Sequence, residues 1–164
     1  MFNPTDAQIF EWLSRAQPSA TALIYGSDRY PEIRGTAKFY QTNMGVYTVV
    51  SVTGLPQQSS ECDSRIFALH IHNGKGCYGD SQDPFSGAGT HYNPDNCPHP
   101  YHAGDLPPLF SAGGIGWSVF LTDRFTVREV TGLTIVIHLH KDDFTTQPSG
   151  DSGEKIACGI IKIG

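Results

Sequence analysis

A chain of 164 residues with 38% apolar side chains is long enough for one domain with a proper core and short for two. Only 16% of residues are charged and the net charge is −5, which sets aside a disordered, self-repelling chain. No basic cluster longer than two residues is present to neutralise nucleic-acid phosphates.

No stretch approaches the roughly 18 consecutive apolar residues of a membrane span. The opening MFNPTDAQIFEWLSRAQ has neither the basic start nor the apolar run of a secretory signal, so the expected location is cytoplasmic. The first predicted element is a short helix. Asn3 is placed to cap it, Pro4 suits the first helical position, and Asp6 favours the positive end of the helix dipole. Ile9, Leu13 and Ala16 recur at helical spacing, Phe10 and Trp12 widen the apolar face, and Pro18 stops the run. Residues 1–18 are therefore read as an N-terminal helical extension and 19–164 as the main domain. The helix closes one end of that domain or offers a contact to a second subunit.

From Ala20 the texture changes to short segments rich in Val, Ile, Thr and aromatics, broken by glycine and proline. Strands are predicted near 20–25, 33–40, 45–53, 66–72, 117–122, 125–127, 133–138 and 156–163. That pattern predicts an all-β fold, an eight-stranded antiparallel sandwich or flattened barrel. Between His72 and Trp117 the rhythm gives way to more than forty residues dense in Gly, Pro, Asn and Asp. A loop this long in a compact domain is functional or disordered, and histidines are the means available to hold it.

Six of the seven histidines fall in patterns that suit a metal ion. His70 and His72 flank Ile71 on a predicted strand, so alternation puts both imidazoles on one face, roughly 6.5–7 Å apart at the backbone. His91 sits within the long loop, and His99, His102 and Asp105 follow within a seven-residue stretch punctuated by Pro and Gly. Two imidazoles and a carboxylate, with His91 as a fourth donor, make a set suited to Zn²⁺. His138 ends the apolar run LTIVIH, where a buried strand meets the loops. His140, two residues on, is assigned no role. The four cysteines, at 62, 77, 97 and 158, contain no C-x-x-C pair, and spacing alone does not choose among their pairings.

Taken together, HIH at 70–72, GTHYNP at 89–94, HAGDLP at 102–107, VIHLHKDD at 136–143 and GEKIACGII at 153–161 resemble the copper/zinc superoxide dismutases, in order, from about residue 20 to 164. The resemblance implies a Greek-key β-sandwich with long metal-binding loops. It implies an oxidoreductase that converts superoxide to oxygen and hydrogen peroxide by alternate reduction and reoxidation of copper. His70, His72, His91 and His138 would hold copper; His91, His99, His102 and Asp105 would hold zinc, with His91 bridging the two and carrying a proton to the product. Imidazoles tolerate both oxidation states of copper, while zinc has no redox chemistry and suits a structural post. Asp142 matches the carboxylate that links a copper-ligand and a zinc-ligand histidine, and Cys77 and Cys158 match the family's internal disulfide.

The chain departs from the family pattern in places. Lys155 stands where the family usually has an arginine, which keeps the charge and loses the planar fork. The spacing from His99 to His102 and the stretch from His138 to Cys158 are short, and the N-terminal helix has no counterpart in the family's core domain. No ligand is missing. Cys62 and Cys97 remain, as a second disulfide or as two separate thiols. Superoxide is the implied substrate, with a homodimer and a copper-loading factor as partners to look for. A second reading, a non-catalytic copper and zinc buffering or delivery protein on the same fold, would favour thiolate or thioether ligands; the chain has two methionines and no cysteine pair.

Overall fold

The computed structural model describes residues 5–57 and 65–164. Its elements are α1 (Asp6–Arg15), β1 (Ala20–Gly26), β2 (Arg34–Thr42), β3 (Gly45–Thr53), β4 (Ile66–Phe67), β5 (Leu69–His72), β6 (Leu109–Ala112), β7 (Ile115–Thr122), α2 (Val127–Val130), β8 (Thr134–His138) and β9 (Lys155–Ile163). The strands form one antiparallel sheet in the order β4-β6-β7-β3-β2-β1-β9-β8-β5. β4 and β5 stand at opposite ends of that order, yet only Ala68 separates them in sequence. The ribbon therefore curls round until one stretch of chain serves both of its edges, giving a nearly closed, flattened barrel.

Alternation decides what each strand offers. Along β5, Leu69 and Ile71 enter the barrel core with Ile24, Phe39, Val50, Phe67, Leu109, Ile135, Ile137, Ile156 and Ile161. His70 and His72 face the opposite way, and all four residues of the strand are buried. β8 repeats the arrangement, with Ile135 and Ile137 inward and Val136 on the outer wall. There Val136 packs with Phe85, Ala88, Cys77 and Cys158 in a small second core. Each such apolar side chain contributes about 1.5–3 kcal/mol on full burial. An outer wall that is also buried must be covered by loops, and these are the loops that carry the remaining histidines.

Several expectations are corrected. Among the described residues nine strands form where eight were predicted: 66–72 divides at Ala68, β6 is added, and the strand at 125–127 is lost. β6 was hidden among prolines and glycines; it pairs with β7 through a two-residue turn at Gly113 and Gly114, whose φ values of 58° and 80° suit glycine. The stretch 125–127 is not a strand. Thr126 caps α2, accepting from the Glu129 N–H while the Glu129 side chain accepts from the Thr126 N–H at 2.7 Å. The N-terminal helix is capped by Thr5 rather than Asn3, through the same kind of reciprocal pair with Gln8; Asn3 and Pro4 lie outside the described residues. α1 buries no residue of its own. It rests on Trp12, whose ring meets Tyr40 and Tyr47 of the β2–β3 pair at 5.5 and 6.0 Å.

Candidate metal centre

One edge of β5 pairs with β8, and the long loop occupies the other. Asn73 donates to Thr90 O at 2.8 Å, Tyr92 to Ile71 O at 2.8 Å, Ile71 to Gly104 O at 2.9 Å, and Leu106 to Leu69 O at 3.2 Å. This register sets His91 opposite His72 and Asp105 opposite His70. Gly104 permits it, since a Cβ there would lie 2.3 Å from Ile71 O and 3.0 Å from Tyr92 N. The remaining histidines arrive on β8 (His138) and on the loop (His99 and His102).

Two groups result: His70, His72, His91 and His138, and His91, His99, His102 and Asp105. Within each group, one ligating atom per residue lies within 4.8 Å of all the others, and every member is buried. His91 belongs to both. The structure thus brings together all seven residues singled out for metal binding, while His140 stays exposed and joins neither group.

Hydrogen-bond partners fix which ring nitrogens are bare. A carbonyl only accepts, so His72 Nδ1 donates to Gly89 O at 2.9 Å and His138 Nδ1 to Gly153 O at 3.1 Å. Their Nε2 atoms then face each other as lone pairs 3.1 Å apart. His70 donates from Nε2 to Asp142 Oδ2, and His99 from Nε2 to Asp142 Oδ1, both at 2.8 Å. This leaves His70 Nδ1 and His99 Nδ1 buried with no hydrogen-bond partner, as is His91 Nε2. His91 Nδ1 lies 2.7 Å from Asp105 Oδ1 and 3.4 Å from His102 Nδ1, while Asp105 Oδ2 lies 3.0 Å from His99 Nδ1 and 3.3 Å from His102 Nδ1.

Buried ring nitrogens left without a partner, as His70 Nδ1, His91 Nε2 and His99 Nδ1 are, are costly unless a cation meets their lone pairs. Two donors on one tetrahedral ion with bonds of about 2.0–2.1 Å lie about 3.3 Å apart, and the separations above bracket that value. Charge state agrees. Burial first, and neighbouring imidazoles after it, lower His70 and His72 and bring His138 down to about 3, so the rings are neutral and ready to ligate. Burial alone would raise Asp105, yet its bond to His91 and the surrounding imidazoles hold it below the usual carboxylate range. The residues fit two adjoining metal ions.

Asp142 spans the groups. Burial alone would raise it, but the His70 ring bond, the Phe144 N–H and the His99 ring bond bring its carboxyl down to about 2. Gly150, at φ 70°, leaves room for it: a Cβ there would meet Asp142 Oδ1 at 2.0 Å. Replacing Asp142 by Asn removes one of the two acceptors that hold the His70 and His99 tautomers. The expected result is a fall of about 10- to 100-fold in metal affinity, measured by chelator competition, with the melting temperature of the metal-free protein little changed.

Sequence reasoning missed the residues that clamp the loop from outside. Gln147 accepts from the His99 N–H at 3.0 Å and donates to His99 O at 2.7 Å. Arg124 Nη1 donates to the carbonyls of Pro100, His102 and Asp105 at 3.2, 3.3 and 3.4 Å. Neither carries a motif, since each recognises backbone. Cys77 and Cys158 form a disulfide across 81 positions that ties the loop to β9. Cys97 lies near the loop's Asp95 O, 4.0 Å from its sulfur, in disulfide linkage with no described residue; Cys62, its suggested partner, lies outside the described residues. Lys155 stands in the wall of an open cleft of about 610 Å³ into which His72, His91, His102 and His138 face.

Residues 33–161 match the family described as copper/zinc superoxide dismutase. The chain is 32% identical to "Superoxide dismutase [Cu-Zn]" of Deinococcus radiodurans, with 89% of this chain and 85% of that protein covered. It is 31% identical to the Legionella pneumophila protein of the same description, with 87% and 86% covered. The fold is similar to that of the Cu/Zn superoxide dismutase from Brucella abortus at a TM-score of 0.70 and 23% identity, covering 86% of this chain and 98% of that one. With five motifs in register and two buried ligand groups sharing one histidine, the chain belongs to the copper/zinc superoxide dismutase family.

Proposed function

We propose that His70, His72, His91 and His138 hold copper, that His91, His99, His102 and Asp105 hold zinc, and that the loaded protein dismutes superoxide in the cleft above them. The observation that carries this reading is His91. Its Nδ1 lies against Asp105 while its Nε2 is buried and bare, and it is the residue shared by both groups. When bound, copper supplies the one-electron couple that no side chain here possesses, and zinc a fixed charge without redox chemistry.

The chain's own residues do the rest. His72 and His138 are fixed by the carbonyls of Gly89 and Gly153, which point both Nε2 atoms at one spot. Asp142 fixes His70 and His99 in the same manner. His91 lines the cleft, and its Nε2 is the atom able to hold a proton and release it to the reduced dioxygen product, because an imidazole nitrogen can be donor, acceptor or ligand in turn. Structural zinc sites contribute on the order of 10–16 kcal/mol, ample to order a loop rich in glycine and proline. Lys155 places an ammonium at the wall, and a cation in a cleft raises capture of an anion.

The test is stopped-flow decay of superoxide by protein loaded with both metals, against the metal-free protein. Decay that depends on the metals, approaching the 10⁸–10⁹ M⁻¹s⁻¹ encounter ceiling at best, supports the reading. Both metals bound without turnover would favour the buffering or delivery protein instead. Lys155→Ala is expected to slow the loaded protein by about 3- to 10-fold at low ionic strength and to flatten its salt dependence. Unchanged values for both would remove Lys155 from anion capture.

A further inference from the structure

Four charged side chains other than histidine line the cleft: Arg29, Asp83, Glu154 and Lys155. Their formal charges cancel, and they are paired. Lys155 Nζ donates to Asp83 Oδ2, and Arg29 Nη1 donates to Glu154 Oε1 at 2.9 Å. An approaching monoanion therefore meets two close pairs, whose field falls off faster than that of a lone cation.

Asp83 is held in place from the protein side. Its Oδ1 accepts from the Phe85 N–H at 3.1 Å, and Phe85 is buried in the small second core with Val136 and Cys158. Asp80 Oδ1 accepts from the N–H groups of Gln82 and Asp83 at 2.8 and 3.0 Å, tightening the same turn. With one carboxylate oxygen committed to the backbone, the other is presented to Lys155. The lysine side chain is 16% exposed and that of Asp83 42% exposed, so the pair sits at the rim, where solvent screens it in part.

We propose that Asp83 sets the strength with which the cleft captures its anion, by holding the Lys155 ammonium in a resident ion pair with which superoxide must compete. This rests on the reading of the cleft as the approach route of superoxide. Asp83→Asn keeps the acceptor for the Phe85 N–H and removes the charge that offsets Lys155.

Wild type, Asp83→Asn, Asp83→Ser and Glu11→Gln, the last altering net charge by the same amount on α1, outside the cleft lining, are compared as copper- and zinc-loaded proteins. Two readouts are used: superoxide decay against ionic strength, and azide titration followed by the visible copper absorption. Both Asp83 variants are expected to react about threefold faster at low salt, to lose that gain as salt is added, and to bind azide about threefold more tightly. Glu11→Gln is expected to match wild type. An Asp83 variant equal to wild type in both readouts overturns the proposal. So does slower decay with weaker azide binding, which would make Asp83 a support for the lysine, and so does an equal gain in Glu11→Gln. A wild type that binds both metals without dismuting superoxide would sink the functional reading, while the azide comparison would still decide the role of Asp83.

Discussion

His91→Ala is expected to abolish metal-dependent dismutation and to lower the metal content of the protein at both positions. No other residue belongs to both groups, and its two ring nitrogens do separate work. Nδ1 lies 2.7 Å from Asp105 Oδ1 and 3.4 Å from His102 Nδ1, so its loss strips the second group of one donor in four. Nε2 is buried without a partner, so its loss strips the first group as well and, on the proposed function, takes away the proton carrier. A positioned proton donor supplies about 10²–10⁴-fold in rate, and the ligand loss adds to that. The checks are metal stoichiometry after dialysis and stopped-flow decay at matched metal loading. The metal-free variant should stay folded, since the imidazole adds nothing to the barrel core and its removal relieves crowded lone pairs. A His91→Ala protein that held both metals and kept the wild-type rate would refute the shared-ligand reading.

Cys77→Ser is expected to produce the largest loss of stability. The bond closes a loop of 81 positions, worth about 4.5 kcal/mol in the chain-entropy estimate and typically 2–5 kcal/mol when a native disulfide is removed. For a chain of this size that corresponds to a drop in melting temperature of roughly 10 °C. Wild-type protein unfolded in reductant should melt close to the variant. The loss should also reach the cleft, because Cys77 begins the loop that carries Asp83, Phe85 and Ala88 onto β9. Equal melting temperatures with and without the bond would show that the Phe85–Val136 packing holds this loop unaided.

What could be read from the sequence, and what could not, divides along a physical line. Strand alternation made the HIH pair and the buried run before His138 legible, because a period of two forces side chains onto opposite faces whatever the rest of the fold does. Residue types pointed to a zinc-suited set at His91, His99, His102 and Asp105, while the division into two ligand groups sharing His91 came from the family resemblance. The register that sets His91 against His72 and Asp105 against His70 was out of reach, since it depends on backbone pairing between segments without strand pattern. Arg124 and Gln147 escaped notice because they bind carbonyls and an N–H, which every sequence offers equally. The strand expected at 125–127 failed for a local reason: Thr126 and Glu129 form a capping box, and that pair outweighed the β-branched composition around it. The same Thr-x-x-Gln signal at Thr5 shifted the start of the first helix.

The segment that joins the two edges of the sheet also bears His70 and His72. The site consequently assembles only when β5 has paired with β8 and the long loop has docked on the other edge of β5, since its donors span positions 70 to 138. Contacts between such distant positions form slowly, so ion capture is expected to wait on them. Metal uptake followed in time during refolding would thus serve as a clock for the seating of β5 between β8 and the loop.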